Sequence, residues 1–494
     1  MSEENQGQEQ AAPTAVKEQD APLVGEILEF TRLDEQDEGY QLARQGVETM
    51  LAELLKKDEP VERVDKSLVD QMIDELDRRL GEQLDEILHN DDFQSLESSW
   101  RGLAFLVNRT DFDENINVEV LNVNTDELRE DFEDAPELNQ TAMFQKVYTD
   151  EYGQFGGEPY GVMIGDYAFT PAAVDVSLLE NMSALAAVTH APFISSASPK
   201  FFGLESFSEL ADLKEVDSLF DGPQYVKWRG LRETDDARNI GLTLPSFMGR
   251  MAYGENKPVR SFNYVEKAEG KDDYLWLNSS YAYATRLVES FARYRWCPNI
   301  IGPQSGGAVT DLAIHTTDNN GRQEMVGPLE TFVSDRKEYE LSELGFIPLT
   351  QRKNADNATF FSSSSVQKPK QFGSEPEARQ AELNYRLGTQ LPYLFIINRL
   401  AHYIKVLQRE NLGSWKSRSD LEAELNRWIR QYVADQENPS PATRSRRPLR
   451  KAQVTVTEMD GDAGWYQVGL EVTPHFKFMG ANFTLSLTGL LDRV

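Results

Sequence analysis

Five histidines (His89, His190, His315, His402 and His475) and one cysteine, Cys297, are the residues of this 494-residue chain best suited to metal binding or nucleophilic chemistry. No two histidines lie closer than 73 positions, so local zinc pairs such as H-E-x-x-H are absent, and a lone cysteine cannot build a Cys-rich site. The Gly-rich Gly302-Pro-Gln-Ser-Gly-Gly lacks the Lys and Ser/Thr of a phosphate-cradling loop. It also carries Ser305 at the wrong offset for a nucleophile elbow, and reads as a loop or bulge. With 82 Asp and Glu in the chain, neighbouring carboxylates carry no information about acid–base pairs. The sequence therefore predicts no catalytic residue, cofactor or metal. An acidic cytosolic hydrolase, its site assembled from distant residues, remains the rival reading.

Charge narrows the partners. Against the 82 acids stand 50 Lys and Arg, a net of −32. That balance disfavours nucleic acid and anionic membrane surfaces, both of which select excess cations. The lone cysteine fits a reducing cytosol. The opening twenty residues lack the basic and apolar regions of a Sec-type signal. The longest greasy stretch, Leu391 to Leu407, is too short and too charged for a lipid span, so a soluble cytoplasmic protein without membrane insertion is predicted. The charge is also polarised. Residues 1–150 hold 39 acids and 13 bases, whereas residues 351–494 hold 15 and 20. Either the first region is an ordinary solvated acidic surface, or copies of the chain meet head to tail through opposite fields. Composition does not choose.

The elements that would position any site follow from periodicity. Residues 1–20 are too polar to repay ordering and read as a disordered arm. Leu23, Val24, Ile27 and Leu28 then mark one face of a short helix, which either packs back on its own domain or serves as a recognition motif. Three helical stripes follow: Leu42 to Leu55, Val69 to Leu88, and Phe93, Leu96, Trp100, Leu103 and Val107; all read as helix-bundle core. Ile116, Val118 and Val120 alternate as a strand does. Tyr160 to Tyr167 reads as a strand ending in a Gly turn, followed by a helix over Val176–Val188 and an apolar strand from Ala191, together a βαβ unit. Helices are predicted near Leu204–Phe220 and Trp276–Tyr294, then loops and edge strands from Pro298 to Lys370. A long helix over Glu377–Gln408, kinked near Pro392, precedes another at Leu421–Val433. A linker with Arg444, Arg446, Arg447, Arg450 and Lys451 leads to three strands: Ala452–Met459, Trp465–Thr473 and Phe483–Leu487. The fold class is mixed α/β. It divides into an arm (1–40), a helical region (41–115), a mixed α/β region (116–375) and C-terminal helices with antiparallel strands (376–494).

A collinear string of phrases resembles one family. It runs Leu96-Glu-Ser-Ser-Trp-Arg-Gly-Leu, Tyr160-Gly-Val-Met-Ile-Gly-Asp-Tyr, His190-Ala-Pro-Phe-Ile, Ala197-Ser-Pro-Lys-Phe-Phe-Gly and Gly241-Leu-Thr-Leu-Pro. Tyr294-Arg-Trp-Cys-Pro-Asn-Ile-Ile-Gly, Glu343-Leu-Gly-Phe-Ile-Pro-Leu, Arg399-Leu-Ala-His-Tyr-Ile-Lys-Val and Arg447-Pro-Leu-Arg-Lys-Ala complete it. From about residue 93 onward the chain is similar to the large subunit of the type VI secretion contractile sheath (the TssC/VipB family). It departs at Leu244-Pro-Ser-Phe, where the family has Pro-Arg-Phe, and at Gly165-Asp-Tyr-Ala-Phe, where an acid usually precedes Phe.

The resemblance implies a phage-tail-sheath-like fold without catalysis. Its implied partners are a small sheath subunit (TssB/VipA-like), further copies of the chain in a helical assembly, an inner tube protein (Hcp), a baseplate and the AAA+ ATPase ClpV. Contraction would propel the tube and its effectors into target cells, and the ATPase would then recycle the sheath, within a membrane-anchored apparatus. Residue by residue, it implies an ATPase-recognition helix at Leu23, Val24, Ile27, Leu28 and Phe30. Strand exchange between neighbours would involve Glu29, Phe30, Thr31, Val454, Val456, Tyr466, Val468 and Leu470. Inner-tube contact would fall on the helix bearing Glu422, Glu424, Arg427 and Arg430.

Overall fold

A computed structural model describes residues 41, 44–47 and 66–490, apart from 153, 155, 255–256, 261, 269, 320–321, 354, 373–375, 411–417, 437–438, 459–465 and 476–484. The recognition helix and residues 29–31 lie outside the described residues. The chain divides into a unit up to Leu80 and a second from Gly81. In the described part of the first, Glu75 accepts hydrogen bonds from Arg78 and Arg79, which hold its carboxyl down at about 2. Ile73, Leu76 and Leu80 on the same helix are exposed.

The helices used below are α1 (Lys66–Leu88), α2 (Asp91–Asn108), α3 (Thr125–Asp134), α4 (Ala173–Thr189), α5 (Val226–Glu233), α6 (Ser279–Tyr294), α7 (Asp335–Glu343), α8 (Pro376–Gly388), α9 (Leu391–Glu410), α10 (Arg418–Ile429) and α11 (Pro441–Arg446). The strands are β1 (Met163–Phe169), β2 (Phe193–Ala197), β3 (Ile240–Leu244), β4 (Ala308–Val309), β5 (Phe346–Gln351), β6 (Ala358–Phe360), β7 (Leu449–Glu458), β8 (Tyr466–Pro474) and β9 (Leu485–Leu490).

The second unit is built on a six-stranded sheet in the order β1-β2-β3-β5-β6-β4. Its first four strands run parallel, and β6 and β4 close it antiparallel. The expected βαβ unit is present as β1-α4-β2. Every residue of β2 and β3 is buried, as a parallel sheet covered on both faces requires. Successive side chains enter opposite layers: Phe193 and Phe346 join α4, Phe201 and Trp228 on one side. Ile194 and Ile347 join Tyr283 and Leu287 of α6 on the other. Helix α9 links two cores, because Leu391, Leu394 and Phe395 finish the second layer. Ile396, Leu400 and Ile404 begin a third core with α10, β7 and β8.

Several expectations change. Gly165 lies inside β1 rather than at a turn; a Cβ there would come 2.6 Å from the Phe193 ring, so close packing selects glycine. Ile116 is buried, but residues 115–124 pair with no strand among the described residues, and Val120 is 68% exposed. The predicted kink at Pro392 is a break at Thr389–Gln390, and Pro392 sits in the first turn of α9, where its missing N–H is harmless. Leu204–Phe220 forms short turns rather than one helix. The stretch expected to be loops and edge strands holds α7 and the interior strand β5.

The bundle-core expectation fails most informatively. In the second unit, α1 turns Gly81, Asp85 and Leu88 inward, and Tyr264 donates to the Asp85 carboxylate at 2.5 Å. Helix α2 buries Gly102, where a Cβ would strike the Tyr281 ring, together with Leu106. Most of the predicted stripe points away: Phe93, Leu96, Trp100 and Val107 are exposed, Trp100 by 66%, while Leu103 packs beside Leu106 and Tyr281.

Candidate interaction surfaces

The chemistry-bearing side chains are absorbed by structure. His190 and His402, far apart in sequence, meet with ring centroids 6.1 Å apart, and His402 Nε2 lies 3.0 Å from the Thr189 carbonyl. Burial first, then the charge of Lys405, lowers His190 to about 3. Burial likewise lowers His402 to about 4, so both rings are neutral at ordinary pH. His475 Nε2 lies 2.7 Å from the Ala434 carbonyl, and His89 lies 3.3 Å from Glu266. Among the described residues no cluster of three or more His, Cys, Asp or Glu is arranged to hold a metal. The cavity between α7, Ser362–Pro369 and the α8–α9 junction measures about 210 Å³. Its Glu338 accepts a hydrogen bond from Ser362, and its Glu343 is paired with Arg386. Both carboxylates of the cavity are thus engaged by neighbouring side chains.

A buried ionic clasp fixes α2 to the body. Arg250 donates to Glu266 at 2.6 and 3.0 Å and to Glu97 at 3.0 Å, and Arg101 reaches Glu97 at 2.6 Å. Burial alone would raise Glu266; hydrogen bonds from Arg250 and the Tyr253 amide outweigh it and hold the carboxyl below its usual range. With that face fixed, the exposed Leu96–Trp100 stripe presents a preformed apolar ridge, and such ridges mark interaction sites.

The C-terminal sheet has the order β7-β8-β9, all antiparallel. Val454 and Val456 of β7 and Val468 and Leu470 of β8 are buried in the third core, and Tyr466 begins β8. Strand β8 is central, with both backbone edges taken. The outer edge of β7 is held at two points. The Ala434 amide donates to the Leu449 carbonyl at 2.9 Å. The Asn426 side chain donates to the Val454 carbonyl at 2.7 Å and accepts from its amide at 3.0 Å. That carboxamide occupies both positions a further strand would use. The outer edge of β9 has no strand partner among the described residues.

Of the predicted tube-contact residues, Glu422 and Glu424 are half-buried and Arg427 and Arg430 exposed, while Leu425 and Ile429 of the same helix face β7. An open groove of about 580 Å³ runs beside α10, lined by Arg418, Glu422, Asn426, Arg430, Ala452 and Gln453. Sequence reasoning missed Asn426, whose partner is backbone and therefore leaves no side-chain pattern.

Among the described residues no helix is long and apolar enough to cross a membrane. Residues 70–367 match the model of the VipB tail sheath N-terminal domain (EvpB/VC_A0108). Residues 380–491 match that of the tail sheath gpW/gp25-like domain of the same family. The type VI secretion system sheath protein TssC1 of Pseudomonas aeruginosa is 40% identical over 461 residues, 91% of this chain and 92% of that protein. A chain of the cryo-EM structure of the anti-feeding prophage baseplate aligns over 77% of this chain and 81% of its own length, at 8% identity and a TM-score of 0.34. With both family domains matched in order, and a sheath protein similar along nearly its whole length, the chain belongs to the VipB/EvpB tail sheath family of type VI secretion.

Proposed function

We propose that this chain is the large subunit of a contractile sheath: it pairs with a small sheath subunit and stacks helically around an inner tube. Its contraction drives that tube outward, and an AAA+ ATPase of the ClpV type then disassembles it. The observation that carries this reading is the outward apolar ridge of α2, Phe93, Leu96, Trp100 and Val107, on a helix whose other face is clamped by Arg250 and Glu97. A folded body that leaves such a ridge uncovered is incomplete alone, and the small subunit is its proposed cover. Neighbours are joined by strand addition at the C-terminal sheet, with β9 the accepting edge and residues 29–31 of another copy the donor. The exposed Arg427 and Arg430 face the tube, and Leu23, Val24, Ile27, Leu28 and Phe30 engage the ATPase.

Electron microscopy of the chain co-expressed with a small sheath partner is expected to show cogwheel-like tubes. Soluble heterodimers alone, across several salt and pH conditions, would overturn the sheath reading. The pair Leu96→Asp and Trp100→Asp is expected to abolish capture of the small subunit while leaving the circular dichroism spectrum unchanged. The pair Ile27→Asp and Leu28→Asp is expected to abolish ATPase binding with tubes intact.

A further inference from the structure

Within the eight positions from Arg444 to Lys451 stand five cations, Arg444, Arg446, Arg447, Arg450 and Lys451, and none forms an ion pair with any described residue. Elsewhere Arg101, Arg129, Arg250, Arg286 and Arg386 meet acids, while Arg109, Arg229, Arg232 and Arg409 donate to backbone carbonyls. The patch is rigidly mounted. Ser440 caps α11, and the buried Ser445 accepts from the Asn299 side chain at 2.6 Å, so Arg444 and Arg446 flank an anchored residue and are exposed. Its field is felt nearby: burial lowers His475, and Arg450 and Arg444 lower it further.

The complementary charge sits elsewhere on the same chain. Glu130, Glu133, Asp134 and Glu137, on and just beyond α3, are exposed and make no ion pair among the described residues. Two of them, Glu133 and Asp134, end α3, where the helix dipole disfavours acids. Each patch repels itself, and the two do not pair within one copy.

We infer that the Arg444–Lys451 patch docks on the acidic end of α3 in a second copy of this chain. A contact between two different patches is heterologous, and repetition of it builds an open helical array rather than a closed dimer. The inference rests on the sheath reading and adds to it the surfaces that set the register of neighbouring copies, since opposed fields steer encounter and penalise wrong registers.

The test is charge exchange in the full chain co-expressed with the small partner, scored as tube mass in electron micrographs, with heterodimer capture as the measure of folding. Arg444→Glu, Arg446→Glu and Arg447→Glu together are expected to lower tube mass at least about tenfold with heterodimer retained. Glu133→Lys, Asp134→Lys and Glu137→Lys are expected to do the same, and the two reversed chains mixed are expected to recover tubes. Should the arginine reversal prevent heterodimer capture, Arg→Gln at the same three positions replaces it. Unchanged tube mass in either reversed chain, or failure of the mixture to recover tubes, would overturn the contact; so would restoration of the arginine variant's tubes by nucleic acid alone. Wild-type chains that form no tubes under any condition would instead overturn the sheath reading itself.

Discussion

Arg250 lies in the body between Glu97 and Glu266, its guanidinium buried and all its partners supplied by the chain itself. At the other end, Arg444, Arg446, Arg447 and Arg450 find no acid among the described residues, and a side-chain amide stands in for a strand at Val454. The clasp completes its cation internally; the C-terminal region leaves a cluster of cations and one sheet edge without a partner among the described residues. A domain whose task ends with folding has no reason to do the second. A part whose working state is a polymer does, because every group satisfied within one copy is unavailable to bind the next.

Removing the body's clasp gives the largest expected effect. Arg250→Met leaves Glu266 buried without its cation and is expected to cost about 3–5 kcal/mol in urea denaturation. Arg250→Met combined with Glu266→Leu is expected to recover most of that loss, and a double variant as unstable as the single one would show that the clasp does more than pair charges. Next comes pH. His190 and His402 titrate near 3 and 4 when folded and near 6.5 when unfolded, so below 6.5 the unfolded chain binds protons that the folded one refuses. Stability is therefore present in full above 6.5 and falls as pH drops toward 4, by up to about 1.4 kcal/mol per unit for each ring. His402→Phe is expected to remove one ring's share of that slope, measured as denaturation midpoints between pH 7 and 5, with His190, His315 and His475 supplying the rest. The smallest effect belongs to the C-terminal edge. Asn426→Ala removes three hydrogen bonds, two to Val454 and one to the Glu422 carbonyl, beside an open groove that water can enter, an expected cost of about 1–2 kcal/mol. The Val454 amide should exchange faster in that variant, whereas Asn426→Asp, which keeps the acceptor, should protect it.

Legibility in the sequence followed locality. The unit β1-α4-β2 was readable because an apolar strand, a continuous helix and another apolar strand each carry their own period. Strand β5 was not: Pro348 inside it reads as a breaker, and its pairing with β3, which aligns Leu244 with Pro348, is a long-range fact. The stripe of α2 shows a subtler limit. Periodicity correctly marked an apolar face, but whether a chain covers that face itself or leaves it to a partner is not written in the spacing. Inward, α2 turns Leu103, Phe105 and Leu106 together with Gly102 and the ionic Glu97, and the last two are residues that a search for greasy stripes passes over. The surfaces assigned from family likeness divide in the same way: Val454, Val456, Val468 and Leu470 hold their own core together, while the guard on their edge, Asn426, had no signature to read.

Cys297 is the chain's one thiol, and burial pushes it up to about 12, with its Sγ directed at the Leu287 carbonyl. At neutral pH it therefore stays protonated and slow toward maleimides and disulfides. The protein thus brings one half-buried native thiol of lowered reactivity to a labelling experiment. Reporter cysteines placed on the α2 ridge, the α11 patch or the β9 edge could carry fluorophores or spin labels without first engineering the native thiol away. Distances between labels on mixed copies would then test the proposed contacts directly.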